Sequence, residues 1–445
     1  MILLRVTVRN HKSIRDEITI DLRHPSLQTL QPRNGEWTKA AYPLAGVFGG
    51  NATGKSAVLD AIRYALTAVE QSATSWQASK SMRRAPFMLD GISRTSTSVY
   101  ELDLVHEGRR YLYGFEVDHQ GVKREWLRDI PTSRWRTLFD RVRETRTLTF
   151  HPSLRARIEV TDRELVLSRA LLLGDSVLHA FARDLTESFD YVLVKDSHRE
   201  ARLRSIADSL AEGGITFDDL EALLQVADIG VLKVGIEETS VPEHVLRAVT
   251  RLWRELKEDE EPDAKTEKAA DDKNQDQLDD DDLAQVVRHL LFTHRGTAEE
   301  CPPFSIRDES DGTIAWLAIA VPALEALRNG GLLLVDEIDA SLHPHLLEVL
   351  LGAFMEPTIN SRHAQLIFTS HESYLLSPLS DVRLAPEQVW FTDKSYEGVT
   401  ELFCLADFPK HPDANIEKRY LTGRYGGTPR LSPSVLAALV SSEDH

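Results

Sequence analysis

Three stretches carry residue types that could do chemistry together. The first is Gly49-Gly50-Asn51-Ala52-Thr53-Gly54-Lys55-Ser56, followed by Ala57. Glycine, four residues, then Gly-Lys-Ser is the pattern of a loop that wraps phosphates: glycines let backbone amides turn inward, the lysine reaches the β- and γ-phosphates, and the serine hydroxyl joins a Mg²⁺ shell. The second is Leu332-Leu333-Leu334-Val335-Asp336-Glu337. Asp336 is suited to hold Mg²⁺ through its water shell, and Glu337 to polarise a water for in-line attack. The third is Ser370-His371, where a histidine can donate to a γ-phosphate. Together they point to ATP and Mg²⁺ as ligands and to hydrolysis giving ADP and phosphate, with Glu337, His371 and Lys55 as the catalytic candidates.

The elements that must position these groups are legible as patterns. Leu44-Ala45-Gly46-Val47-Phe48 reads as a buried strand before the loop, and Val58, Leu59, Ile62, Ala65, Leu66 and Val69 recur at helical spacing after it. The helix N-terminus adds its positive end to the phosphate site. Four apolar residues ending in two carboxylates read as a buried parallel strand delivering acids at its C-terminal end, where ligands bind in open α/β sheets. Ala364 to Thr369 reads as a neighbouring strand that delivers His371. Pro344 suits a first helical turn, and Ser310-Asp311-Gly312-Thr313 opens a helix expected over Ile314 to Arg328.

The rest of the chain frames this site. Its 445 residues suggest two or three domains, and two cysteines, Cys301 and Cys404, exclude a disulfide framework. No apolar run is long enough for a membrane span and no signal peptide is expected, which points to the cytoplasm. Residues 258–282 hold 13 acidic residues and 3 lysines; of the total charge of −18 this leaves −8 elsewhere, so charge gives no support for a strong grip on nucleic acid.

The expected organisation is a first lobe over 1–70, an antiparallel β-subdomain over 71–150, a helical insertion over 151–256 and an acidic, disordered, solvated loop over 257–282. A second lobe over 283–410 and a tail over 411–445, packed rather than docking, complete it. Within this scheme residues 1–22 read as two strands, and Ser98 to Val142 as successive strands with hairpin turns at His106-Glu107-Gly108-Arg109 and Asp118-His119-Gln120-Gly121. No sustained heptad repeat is present.

These residues resemble the ABC-type ATPase heads of the SMC, RecF and RecN group. The resemblance rests on the Walker A stretch (49–56), a Ser-x-Gly signature (310–312), Walker B with its glutamate (332–337), the Asp339 loop and His371, and on Val8-Arg9-Asn10-His11-Lys12-Ser13-Ile14 at the start. Closer still is a set of bacterial AAA-family ATPases found in phage-defence and abortive-infection operons. They share the stretch matched by Asp336 to Pro344 and a tail like Asn415 to Gly427. The resemblance implies an α/β P-loop head with an antiparallel β-subdomain and a helical insertion. It also implies that Ser310 and Gly312 of one head complete the nucleotide site of a second, so that ATP joins a homodimer or higher homo-oligomer.

Departures are Asp311 in place of a signature glycine and Ala52 where relatives often carry glycine. Gln71 and Gln77 are candidates for a Q-loop glutamine, Lys12 and Ser13 for phosphate contact, whereas His343 and His345 read as helix-start packing or surface rather than ligands. Lys55 and Asp336 are 281 residues apart, unlike the short spacing of ring-forming AAA+ machines. The expected function is an ATP-driven dimerisation switch that controls a separate effector protein in defence. The alternatives are a RecF- or SMC-like DNA-repair ATPase and a nucleotide-binding scaffold with negligible hydrolysis.

Overall fold

The computed structural model describes residues 1–193 (apart from 80, 155–156 and 175–176), 203, 206–207, 209–211, 213–227, 230–240, 286–296, 301–305, 308–409 and 415–427. The fold is mixed α/β and divides into two compact units, Met1–Val194 with Pro322–His445, and Lys195–Val321.

The principal elements of the first part of the chain are β1 (Ile2–Arg9), β2 (Ile18–Asp21), β3 (Leu44–Phe48), α1 (Lys55–Gln71), β4 (Ser98–His106), β5 (Arg109–Asp118), β6 (Gly121–Asp129), β7 (Arg136–Val142), β8 (Thr147–Phe150), α2 (Val166–Leu171), α3 (Val177–Glu187) and β9 (Phe189–Leu193). There follow α4 (Phe217–Val226), β10 (Val231–Ser240), β11 (Val286–His294), β12 (Phe304–Ser305), α5 (Asp311–Asn329), β13 (Leu332–Asp336), α6 (Pro344–Met355), β14 (Gln365–Ser370), β15 (Val389–Lys394), β16 (Thr400–Cys404) and α7 (Ile416–Leu421).

Two sheets build the first unit. One has the order β16-β15-β3-β14-β13-β9 and is parallel except for the β15/β16 pair. Its inner strands are continuous apolar runs because both faces are covered. The other, β2-β1-β4-β5-β6-β7-β8, is antiparallel throughout. The β4–β5 turn has Glu107 at φ +47 and Gly108 at φ +72, the two positive values a tight hairpin of this hand needs. Helix α1 is buried along most of its length. Its Val58, Leu59, Ile62 and Val69 share one core with Val6, Tyr100 and Phe115 of the antiparallel sheet and with Val47, Leu334 and Ile367 of the parallel sheet.

The parallel register places the site. Ser370 pairs with Phe48, and Val335 with Phe368. The segments after β3, β13 and β14 therefore leave the same sheet edge side by side.

The second unit packs α4 and the β10-β11-β12 sheet over a core containing Leu220, Leu224, Val234, Leu290 and Phe292, joined by Ile314, Leu317 and Val321 of α5. Thr216 and Asp219 cap α4 reciprocally, and the Trp316 indole N–H donates to Leu223 O at 2.7 Å.

The expected organisation needs three corrections. β1 and β2 belong to the antiparallel sheet, because β1 pairs directly with β4, so that sheet does not begin at 71. The stretch expected to be a helical insertion contains two strands. Phe189–Leu193 is the edge strand of the parallel sheet, and Val231–Ser240 pairs with β11. The first follows α3 after a single residue, which hides it behind the helical period. The second has Val234 and Ile236 as apolar residues two apart, too short a period of two to stand out from its helical surroundings. Third, β11 and β12, expected in a second lobe, sit in the second unit. The acidic loop over 257–282 lies outside the described residues, as do 428–445 of the tail. Among the described residues no helix is long and apolar enough to cross a membrane.

Candidate nucleotide-binding site

β3 ends at Phe48 and the chain turns at once through Gly49 and Gly50. A Cβ on Gly49 would stand 2.3 Å from Thr392 Oγ1, and one on Gly54 would stand 1.9 Å from Thr400 Oγ1. Gly54 also sits at φ +109, so both positions admit only glycine. Ala52 takes the left-handed conformation at φ +64, a strain of about 1 kcal/mol for a residue with a Cβ. The loop is braced from β15 and β16. Thr53 Oγ1 donates to Gly50 O (2.9 Å) and shares a hydrogen bond with Thr392 Oγ1 (2.7 Å), and Thr400 Oγ1 donates to Thr53 O (2.9 Å).

Gly54 is the N-cap of α1. The Ala57 and Val58 amides both donate to Gly54 O, at 3.0 and 3.2 Å. The Lys55 and Ser56 amides open the first turn ahead of them, where an anion is favoured. Lys55 is buried at 5% exposure, and its ammonium donates to Gly49 O (2.7 Å), Gly50 O (3.0 Å) and His371 Nδ1 (3.0 Å). Burial pulls its pKa down to about 8, against the opposing pull of Asp339, Asp336 and Glu337. Because Lys55 donates to Nδ1, His371 carries its own proton on Nε2, which lies 3.9 Å from Glu337 Oε1.

The acids stand at the end of β13. Asp336 is 1% exposed. Its Oδ1 accepts from Ser56 Oγ (3.1 Å) and Thr369 Oγ1 (2.6 Å), while its buried Oδ2 has no hydrogen-bond partner among the described residues. A buried carboxylate oxygen without a donor is costly, and a hard cation with oxygen ligands answers it. Ser56 and Asp336 are therefore the residues that can hold Mg²⁺. Glu337 stands one residue on at φ +57, half-exposed, with its amide donating to Thr369 Oγ1 at 2.7 Å. The Asp339 carboxylate accepts the His371 amide, 3.3 Å from each oxygen.

The model of one protein family, described as "AAA domain, putative AbiEii toxin, Type IV TA system", matches residues 44–377. The chain belongs to that family. It is an AAA-domain protein. No curated protein matches the chain in sequence. A solved structure, "Crystal structure of the SmcHead bound to the C-winged helix domain of ScpA", is similar at 11% identity, covering 91% of this chain and 97% of that one, with a TM-score of 0.44.

The AAA domain brings Gly49 to Ala57, Asp336, Glu337 and His371 to one sheet edge. Ser310 and Gly312 lie in the second unit. There Ser310 is exposed and caps α5, its Oγ accepting the Thr313 amide at 3.1 Å. Gln71 ends the 17-residue α1, roughly 24 Å along its axis from Lys55, and its Oε1 accepts from Trp76 Nε1; Gln77 Nε2 donates to Ser72 O. Both glutamines serve local turns.

Lys12 Nζ pairs with Asp60 of α1 at 2.6 Å, and Ser13 Oγ donates to Thr400 Oγ1 at 2.8 Å, since the Thr400 proton goes to Thr53 O, so these residues support the helix and the loop from outside. His343 caps α6 and His345 bonds Glu348, both exposed at the start of the helix. Sequence reasoning missed Thr369, which joins Asp336 to Glu337, and Thr392 and Thr400, which brace the loop. Thr369 was findable as a polar residue ending an apolar strand beside His371. Threonines in β15 and β16 read only as good strand formers.

Proposed function

We propose that this AAA-domain protein binds and hydrolyses ATP with Mg²⁺ and uses the nucleotide as a dimerisation switch that controls a separate effector protein in anti-phage defence. The observation that carries the reading is the partnerless buried Asp336 Oδ2 beside the Ser56 hydroxyl, at the mouth of a glycine loop whose lysine is buried.

In this reading the Gly49–Ala57 amides and the Lys55 ammonium hold the triphosphate. Lys55 gives up the Gly49 and Gly50 carbonyls for phosphate oxygens. Ser56 and Asp336 hold Mg²⁺, which when bound neutralises phosphate charge. Glu337 accepts a proton from the attacking water, and the His371 Nε2–H points toward the same space. Ser310 and Gly312 of a second copy complete the site from across the interface, the start of α5 facing the γ-phosphate. Asp311 adds a negative charge there and tempers the affinity between copies.

The test is mass in solution for the wild type and Glu337→Gln, each with and without ATP and Mg²⁺. The variant should bind ATP, fail to hydrolyse it and remain dimeric, while the wild type returns to monomer as ATP is consumed. A variant that stays monomeric at saturating ATP overturns the dimerisation switch. A Lys55→Ala chain that still binds ATP overturns the site itself.

A further inference from the structure

The sequence motif left without a role is the tail from Asn415 to Gly427, and its contacts converge on the phosphate loop. The Gly50 amide donates to Gly427 O at 2.5 Å. Gly427 fits there only without a side chain. At φ +70, a Cβ would meet Thr392 O at 2.7 Å and Gly49 Cα at 3.3 Å. Gly426, at φ +75, turns against the Asp393 side chain. The tail is anchored by aromatic stacking on Phe391 of β15. Tyr420 lies at 5.3 Å and 22° from it, Tyr425 at 5.0 Å and 12°, and both tyrosines are buried. At its other end the tail meets the segment after His371, where Ser373 Oγ donates to Glu417 Oε1 at 3.2 Å. One short segment thus touches the start of the phosphate loop, the strand bracing it and the loop that carries the histidine.

We infer that residues 415–427 form a clasp that holds the phosphate loop in its nucleotide-binding shape, with Gly427 and Tyr425 as positioning residues; this rests on the ATP reading of the same site. The amide of Gly50 is fixed by the clasp, so Gly49 and Gly50 keep the turn that aims the following amides inward. A loop held in its bound shape avoids the ordering cost at binding. Linkage then requires the reverse: a nucleotide that prefers the clasped loop holds the clasp down. The binding state of the site is thereby carried to the C-terminal surface, where Lys418, Leu421 and Arg424 are exposed.

The test uses the full chain as wild type, Gly427→Ala, Tyr425→Ala and Tyr425→Phe. Two quantities are read: amide hydrogen exchange in peptides covering 44–56, and the dissociation constant of a fluorescent ATP analogue. Gly427→Ala and Tyr425→Ala should speed exchange at Gly50 and weaken nucleotide binding about tenfold, whereas Tyr425→Phe, which keeps the stacked ring, should stay within about twofold of wild type in both. Bound nucleotide should slow exchange across 415–427 in the wild type.

Unchanged exchange at Gly50 in both disruptive variants overturns the clasp. Faster exchange with unchanged affinity overturns its part in binding. Failure of the ATP reading shows separately, as a wild type that binds no nucleotide, and the exchange measurement still decides whether the clasp exists. Should Gly427→Ala fail to fold, Tyr425→Ala against Tyr425→Phe gives the same decision.

Discussion

The Lys55 ammonium lies 3.0 Å from His371 Nδ1, although 316 residues of sequence separate them. This contact fixes the histidine tautomer and ties the phosphate loop to the segment after β14. It also makes the site sensitive to pH, because burial has brought Lys55 from an ordinary 10.5 to about 8. Between those values the folded chain binds fewer protons than the unfolded one, so this lysine favours folding more as pH rises through that window. ATP acts in the opposite sense. A triphosphate beside Lys55 favours the charged form, so binding above about pH 8 takes up a proton. The dissociation constant for ATP should therefore rise as pH climbs above about 8, by up to about tenfold per unit, measured by calorimetry in buffers of different ionisation enthalpy. A constant that is flat between pH 8 and 10 would refute this.

Thr369 holds the two acids in place. Its hydroxyl donates to Asp336 Oδ1 and accepts the Glu337 amide, which fixes Glu337 in a left-handed conformation that a glutamate rarely adopts. Thr369→Val keeps the shape and removes both bonds. We expect kcat to fall about 10²-fold, from a misplaced Glu337 and a carboxylate left short of a donor, with ATP affinity changed far less. Thr369→Ser should restore most of the rate. Equal losses in Thr369→Ser and Thr369→Val would show that the hydroxyl is not the cause.

The partnerless Oδ2 of Asp336 makes a thermal prediction. Bringing Mg²⁺ with ATP to that oxygen should raise the wild-type Tm well beyond the gain from ATP with a chelator. Asp336→Asn removes the buried charge, so its Tm without nucleotide should be no lower than that of the wild type, and its Mg²⁺-dependent gain should vanish. A variant that keeps the full Mg²⁺-dependent gain would move the metal site elsewhere.

Most of the groups at this sheet edge were readable in sequence, for a physical reason. Strands β3, β13 and β14 are short apolar runs buried on both faces, and each ends abruptly in residues that bury badly, Gly49-Gly50, Asp336-Glu337 and Ser370-His371. An abrupt change of polarity at a strand end is local information. The edge strand β9 was not readable, because five residues after a helix carry no period of their own. Nor were the supports of the loop. Thr53 meets Thr392 and Thr400 across more than 300 residues, and Gly50 meets Gly427 across a still longer separation. Such pairings come from tertiary packing and leave no mark in spacing. Gly426-Gly427 did leave one, since paired glycines near buried tyrosines mark a close backbone approach, but what they approach is fixed only by the fold.

The proposed sharing of sites between two copies can be separated from folding. Ser310 caps α5 through its side-chain oxygen, so Ser310→Ala would confound a lost cap with a lost phosphate donor. Ser310→Asp keeps an oxygen for the Thr313 amide and sets a carboxylate against the γ-phosphate, so the chain should fold while its dimers fail to hydrolyse ATP. Lys55→Ala should be inactive for the other reason, an impaired phosphate loop with an intact α5 start. Mixed in equal amounts, the two variants can pair, and each mixed dimer carries one complete site. Activity should therefore reappear in the mixture, as a two-fold interface with shared sites requires. If each site were built from one chain alone, the mixture would stay as inactive as its parts, and Ser310 would have no role across an interface.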